Sequence, residues 1–391
     1  MNADVTYDDR PAASSALATS RRPELLALTS VRFFAALEVV LLHTLFELGG
    51  DAVHSIPGTV VDVLTRGGLA VSFFFVLSGF ILTYTYSDSD NGLKTTARKF
   101  WRARFARIYP IYFLGFLMDA PRAIAFFLVS AGTVVSAVVK IAVAGLAYLT
   151  LTQAWHPRVA YAWNTPGWSL SVEALFYVAF PVLLVIMRGW RLRTVCWVAV
   201  AIWALPVLAH AVLFRMQIID LTSVNVQAFW RSFPVLRLPE FVMGVAAGKL
   251  FLSGPLDPHH KQLRLLGALA VALILALSVG SRYLPAAVPE STLGAPLFAL
   301  VILALASGAI PTPNWLNSPV LLLLGRSSYA VYILHQPFKL FFLKLAQLAH
   351  FDAPSPALLI AYLVTLQLFC IGLFLWFEDP MRHLLTKPRP S

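Results

Sequence analysis

Leu26-Ala27-Leu28-Thr29-Ser30-Val31-Arg32-Phe33-Phe34-Ala35-Ala36-Leu37-Glu38-Val39-Val40-Leu41-Leu42-His43-Thr44-Leu45-Phe46-Glu47-Leu48 decides the fold class. As a helix this stretch is about 34 Å long, enough to cross the ~30 Å hydrocarbon layer of a bilayer. Arg32 and His43 lie inside it. Ionisable groups at that depth cost a few kcal/mol, and where they persist they face a bundle interior or a water-filled site. Arg32, Ala36, Val39 and His43 fall on one helical stripe, its polar ends about 16 Å apart. The residues between them are small, so a second helix or a ligand fits against that face. Glu38 is about 140° around the helix from His43, poorly placed to orient it, and is left outside the site. The chain reads as an all-α, polytopic membrane bundle with chemistry inside the bilayer.

Composition agrees. Of 391 residues, 59% are hydrophobic and only 13% charged, against about 25% charged in soluble domains. Mean hydropathy is +0.74. The net charge of +11 invites a nucleic-acid reading, but the basic residues sit where membrane topology wants them, so nucleic acid is not an expected partner. Cys196 and Cys370, both in apolar segments, suggest neither a disulfide framework nor a metal site. The polar start, with Asp4, Asp8 and Asp9, does not read as a cleavable signal peptide. The expected organisation is a disordered cytoplasmic tail over 1–24, a membrane domain over 25–380 and a second cytoplasmic tail over 381–391.

Apolar windows place spans near 26–48, 67–86, 168–187, 194–214, 233–252, 264–280, 293–310, 319–345 and 355–377. Region 105–152 holds about two helices' worth of apolar sequence and is broken at Asp119-Ala120-Pro121-Arg122. Basic clusters precede the first span (Arg21, Arg22), follow the second (Lys94 to Arg107), and recur at Arg188–Arg193, Lys249–Arg264 and Arg382–Arg389. Placing them all inside requires an odd number of crossings between Arg107 and Trp168. One crossing plus a re-entrant or interfacial helix predicts about ten spans with both termini cytoplasmic; three crossings would give twelve.

Four segments carry candidate chemistry. Arg104 and Arg107 are three apart and share a helix face, where two guanidiniums can clamp a phosphate or pyrophosphate; the plainer reading is a topology determinant touching lipid headgroups. Ser169, Glu173 and Tyr177 follow the interfacial Trp168 at helical spacing. Glu173, an acid within the membrane, suits orienting a histidine or binding a sugar hydroxyl, against a purely structural bond. Glu240, Gly244 and Gly248 form a small-xxx-small packing face with an acid at its top; the glycines read as packing, and Glu240 as packing or site. Ser328, Tyr332 and His335 share a face and suit either hydroxyl binding or ordinary interhelical bonds. The Phe73–Phe80 run reads as packing, with Gly79 allowing close approach.

Taken in order, these segments resemble the integral-membrane acyltransferase-3 family of O-acyltransferases. The matching pieces are Leu28-Thr29-Ser30-Val31-Arg32 leading to His43, the run at 74–80, Arg104-x-x-Arg107, and Trp168-Ser169-Leu170-Ser171-Val172-Glu173. Pro239-Glu240-Phe241-x-x-Gly244, Gly325-x-Ser327-x-Tyr329-x-x-Tyr332-x-x-His335, and Glu378-Asp379-Pro380-Met381-Arg382 complete the series. Thr29-Ser30 stands where many members have Asp-Gly, and Val71-Ser72 where an Asp often precedes the Phe run. The esterase-like domain fused to some members has no counterpart here. The resemblance implies transfer of an acyl group, usually acetyl, from acyl-CoA to a hydroxyl of a glycan or natural product. It implies a catalytic role for His43 and donor-side roles for Arg32, Arg104 and Arg107.

Topology and motifs together predict arginines near the cytoplasmic face, with His43, Glu173, Glu240 and His335 in the outer halves of their spans. Acyl-CoA, a co-substrate with no tightly bound cofactor beside it, would rest its phosphates on Arg32, Arg104 and Arg107. His43 would be the general base, oriented by Glu173 ahead of Glu240; a covalent acyl relay through His43 is the alternative. Ser169, Glu240, Tyr332 and His335 are the candidate substrate contacts. Expected partners are acyl-CoA, a lipid-linked sugar or exopolysaccharide acceptor, and membrane lipids, in a bacterial cytoplasmic membrane; homo-oligomerisation is left open. A macrolide-like acceptor, or transport of an anionic solute, are the competing readings, though no repeated half with broken helices supports a transporter.

Overall fold

The computed structural model describes residues 22–88, 92–220, 223–254, 256, 259–280, 283 and 290–386. Most of the two expected tails, residues 1–21 and 387–391, lies outside the described residues. The described residues are mainly helical, with no strand among them.

The order is α1 (Leu26–Leu48), α2 (Gly58–Leu64), α3 (Gly67–Tyr86), α4 (Ala97–Ser130), α5 (Val134–Leu149), α6 (Trp168–Ile186), α7 (Leu192–Arg215), α8 (Val224–Ser232), α9 (Pro234–Leu252), α10 (His260–Gly280), α11 (Glu290–Ala306), α12 (Pro319–Leu348), α13 (Pro356–Leu373) and α14 (Asp379–Thr386). Side-chain oxygens of Thr96, Thr133, Ser318 and Ser355 cap α4, α5, α12 and α13, satisfying first-turn N–H groups. Pro319 and Pro356 occupy the first helical position, where no N–H is needed.

Seven helical segments are long and apolar enough to cross a bilayer: Leu26–Leu48, Gly58–Tyr86, Ala97–Ser130, Thr165–Ile186, Leu192–Arg215, His260–Gly280 and Pro356–Thr386. Two long helices outside that set, α9 and α12, form the interior. Every residue of α9 from Pro239 to Lys249 is buried, walled in by α3, α6, α7 and α11. A helix covered on all sides need not be apolar towards lipid, so α9 keeps Arg237, Glu240 and Lys249, and α12 keeps His335 and Lys339 among α1, α4 and α13.

The α3–α9 contact is backbone against backbone. A Cβ at Gly79 would overlap the Phe241 carbonyl, and one at Gly244 the Val76 carbonyl. The glycines of the small-xxx-small face are therefore packing residues, as expected. At the α1–α12 crossing, Gly325 lies on the backbone of Thr29.

Region 105–152 differs from its expected division. α4 runs through Pro110 and Pro121 without ending and stops at Ser130; the break comes at Gly132, in the left-handed region with φ 73°. The helix passes the expected break because Arg122 closes on Asp119 with two hydrogen bonds of 2.8 and 2.6 Å and donates a third to the Trp163 carbonyl. A proline in a membrane helix is tolerated where neighbours meet the freed polar groups. α5 then folds back along α4, so that Tyr112 and Tyr109 donate to the carbonyls of Tyr148 and Leu149. The irregular stretch 150–167 is held by the Trp163 indole on the Phe116 carbonyl and the Asn164 amide on the Ile333 carbonyl. At the other end, residues 381–386 belong to α14, packed on α4, and not to a loose tail.

Candidate active site

α1, α3, α6 and α12 enclose a cavity of about 60 Å³ lined by Arg32, Val71, Phe74, Phe75, Ser169, Leu170, Glu173, Ser328, Tyr329 and Tyr332. The sequence segments singled out on three of those helices thus meet in one place. Arg32 is the cation in its wall, and its guanidinium makes no hydrogen bond or ion pair among the described residues; Glu173, Glu378 and Arg107 are near enough to act on it electrostatically.

Opposite, Tyr332 donates to Ser169 Oγ at 2.8 Å, and Ser169 donates to the Pro166 carbonyl at 2.9 Å. The Ser169 hydroxyl group is therefore fixed as acceptor from one side and donor to the other. Glu173 accepts a 2.7 Å hydrogen bond from Tyr177, and its charged neighbours are Arg32, Arg104 and Arg107. This corrects the expected division of the site. Glu173 belongs with the arginines and does not orient His43, because α6 enters deep enough for its second turn to face Arg32.

Arg104 and Arg107 lie just outside the cavity wall. Arg104 stacks on Tyr86 at 5.3 Å and Tyr177 at 6.0 Å, and donates to the Tyr86 hydroxyl at 3.2 Å. Its buried Nε has no partner. Arg107 pairs with Glu378 at 3.0 Å, a carboxylate only 1% exposed. Sequence reasoning gave Glu378 no role, although it opens the quoted Glu-Asp-Pro-Met-Arg motif. It ends a π-helical turn, Phe374–Glu378, a feature often found at functional sites. Just beyond α1, burial pushes the Glu24 carboxyl up, but hydrogen bonds from Arg326 and Thr29 outweigh this and hold it below the usual carboxylate range.

His43 is met by His335 from α12, not by a carboxylate. His43 Nδ1 lies 2.9 Å from the Val39 carbonyl and 3.2 Å from His335 Nε2. His335 Nδ1 lies 2.7 Å from the Tyr332 carbonyl. A carbonyl accepts only, so both Nδ1 atoms carry hydrogen, and His43 Nε2 keeps its lone pair. His335 is fully buried, and both its ring nitrogens face protein partners, which corrects its expected place as a substrate contact. Glu240 is also fully buried. It pairs at 3.1 Å with Arg237, one turn earlier on α9, and Arg237 stacks on the ring of Phe75, a residue of the cavity wall. Glu240 therefore lies behind the cavity wall, not in it. Glu38 has Arg66 as its charged neighbour, away from His43.

The candidate site is thus an internal cavity with an arginine in its wall, beside two histidines of α1 and α12 that face each other within a bundle of apolar helices. The chain belongs to the acyltransferase-3 family: the family model, described as an acyltransferase domain, matches residues 25–375. It is therefore an acyltransferase and a membrane protein. It is similar to the acyltransferase MdmB of Streptomyces mycarofaciens, 29% identical over 80% of this chain and 78% of the relative. It is also similar to the exopolysaccharide production protein ExoZ of Rhizobium meliloti (strain 1021), 29% identical over 81% of this chain and 90% of the relative. Nodulation protein 10 of Rhizobium leguminosarum bv. viciae is 30% identical over 44% of this chain and 47% of its own length. No solved structure matches the chain.

Proposed function

We propose that this membrane acyltransferase moves an acetyl group from acetyl-CoA to a sugar hydroxyl of a lipid-linked oligosaccharide or exopolysaccharide. The observation that carries this reading is Arg32, a guanidinium without a hydrogen-bond or ion-pair partner among the described residues, in the wall of an internal cavity. Such a group calls for an anionic or strongly polar occupant. The cavity is narrow, about 60 Å³, which supports a short acyl group. Arg104 and Arg107, towards the start of α4, suit the phosphates of a donor arriving from the cytoplasm. The name of one relative, an exopolysaccharide production protein, favours a glycan acceptor.

In the reaction, His43 Nε2 takes the proton of the acceptor hydroxyl as its oxygen attacks the thioester carbonyl. The tetrahedral intermediate collapses, the carbon–sulfur bond breaks, and the departing thiolate takes the proton back from His43. The products are an ester and free CoA-SH, so no other reactant is needed. Tyr332 and Ser169, locked together, shape the acyl end of the cavity. Ten helices of 17 residues or more lie among the described residues, α5 apart. That number supports ten crossings with both termini on the inner side of the cytoplasmic membrane.

The test is label transfer from radiolabelled acetyl-CoA to a lipid-linked glycan fraction by the purified protein, wild type beside His43→Ala. Label on glycan with the wild type alone supports the reading. Activity surviving in His43→Ala removes His43 as base. Transport of an anionic solute without thioester consumption overturns the whole reading.

A further inference from the structure

The geometry points to a role for His335 that neither family membership nor the cavity assigns: we propose that it is a positioning residue, holding His43 in the tautomer whose free lone pair is on Nε2. The inference rests on the reading of His43 as general base.

The hydrogen bonds around the two rings form a chain with one direction. The Tyr332 carbonyl can only accept, so the hydrogen of His335 is on Nδ1, at 2.7 Å. His335 Nε2 is then a lone pair, and it faces His43 Nδ1 at 3.2 Å. The Val39 carbonyl, 2.9 Å from the same nitrogen, makes the same demand. Two acceptors therefore share one N–H, and the competing tautomer, with hydrogen on Nε2, would leave three lone-pair groups facing one another. Reversing His335 does not rescue it, because its Nδ1 lone pair would then oppose the Tyr332 carbonyl. The second ring supplies what a carboxylate supplies to a catalytic histidine elsewhere, without placing a negative charge beside it.

The rings are held from both sides. Their centroids are 5.1 Å apart at a 32° tilt. Tyr362 of α13 donates to the His335 carbonyl at 2.7 Å. One turn further out on the same two helices, Lys339 pairs with Glu47. An i, i+4 repeat on both helices, His above His and Glu above Lys, fixes the register of α1 against α12 at the level of the base. An ordinary buried histidine needs one partner per nitrogen; this one spends its acceptor on the base itself.

The test uses full-length protein in detergent with ¹⁵N-labelled histidine, the His43 signal being identified by its loss in His43→Gln. The inference expects His43 with hydrogen on Nδ1 in the wild type; hydrogen on Nε2 there overturns it, with no variant needed. In His335→Leu the His43 signal should shift towards a mixture of tautomers. kcat should fall by about tenfold or more, while KM for acetyl-CoA and for acceptor stays within about twofold. His335→Gln, which returns an acceptor and an N–H donor, should recover most of kcat. An unchanged tautomer in His335→Leu, or a raised acceptor KM with kcat intact, overturns the inference, the latter returning His335 to substrate binding. If the general-base reading fails instead, His43→Ala keeps its activity, whereas the tautomer measurement still decides the pairing.

Discussion

Replacing Arg32 by methionine should make the ligand-free protein more stable while removing its grip on the donor. Methionine keeps the apolar stem of the side chain and lacks the guanidinium head, so the charge and its donors are lost and the cavity is widened by the volume of that head. Among the described residues that charge has no hydrogen-bond or ion-pair partner, and Glu173 and Glu378 act on it against the opposing Arg107. An uncompensated buried charge costs several kcal/mol, less here because the group borders a cavity and two carboxylates lie near; about 1–3 kcal/mol is the expected gain. For a chain of this size that is a rise in Tm of about 1–4 °C, read from intrinsic tryptophan fluorescence in detergent. Saturating acetyl-CoA at about 100 times the wild-type Kd should add ~2.7 kcal/mol to the wild type and at most about 1.4 kcal/mol to Arg32→Met, whose donor affinity should fall at least tenfold. A lower Tm for the variant, or an undiminished stabilisation by acetyl-CoA, would refute the reasoning, because either outcome means that Arg32 is satisfied within the protein.

Val71 lines the cavity, so Val71→Ala should admit a longer acyl chain, raising the butyryl-to-acetyl ratio of kcat/KM about tenfold in a thioester-consumption assay; an unchanged ratio would place the acyl group elsewhere. Glu240→Gln removes the carboxylate that pairs with Arg237 in the interior and should cost about 1.5–3 kcal/mol of stability, read as a lower Tm, while the acetyl-CoA KM of the folded fraction stays unchanged. Glu24 is held in its ionised form, so its contribution is present above the ordinary carboxylate value of 4.5 and lost as pH falls below it. Because the Arg326 pair is largely exposed, Glu24→Gln should cost less than about 1 kcal/mol at pH 7, and thermal scans at pH 7 and pH 3.5 should show the difference between the two proteins closing.

Hydropathy placed α1 at 26–48 and α3 at 67–86, the bounds found in the structure, because long apolar runs without water can satisfy their backbone only as helices. Where the local signal was a proline beside two charges, the reading failed. Asp119, Pro121 and Arg122 look like a break until Arg122 closes on both Asp119 and the Trp163 carbonyl. Within the site, Arg32, Glu173, Ser169 and Tyr332 were legible as polar groups at membrane depth, and they do meet around one cavity. Glu378 was overlooked because its motif follows the last apolar run, with nothing local to show that Arg107, 271 positions earlier, takes its carboxylate.

By itself the sequence determined an all-helical membrane chain, the ends of helices such as α1 and α3, its ionisable residues inside spans and, through seven ordered motifs, its family. These properties follow from spacing of 3.6 residues per turn and the free energy of moving each side chain into lipid, both of which are local. Only the tertiary structure decided which polar groups share an environment. Glu173 lies with the arginines, Glu240 behind Phe75, and His43 against His335, because helix packing and depth, set by the backbone contacts of Gly79, Gly244 and Gly325, bring together residues up to 292 positions apart. No local pattern carries that information.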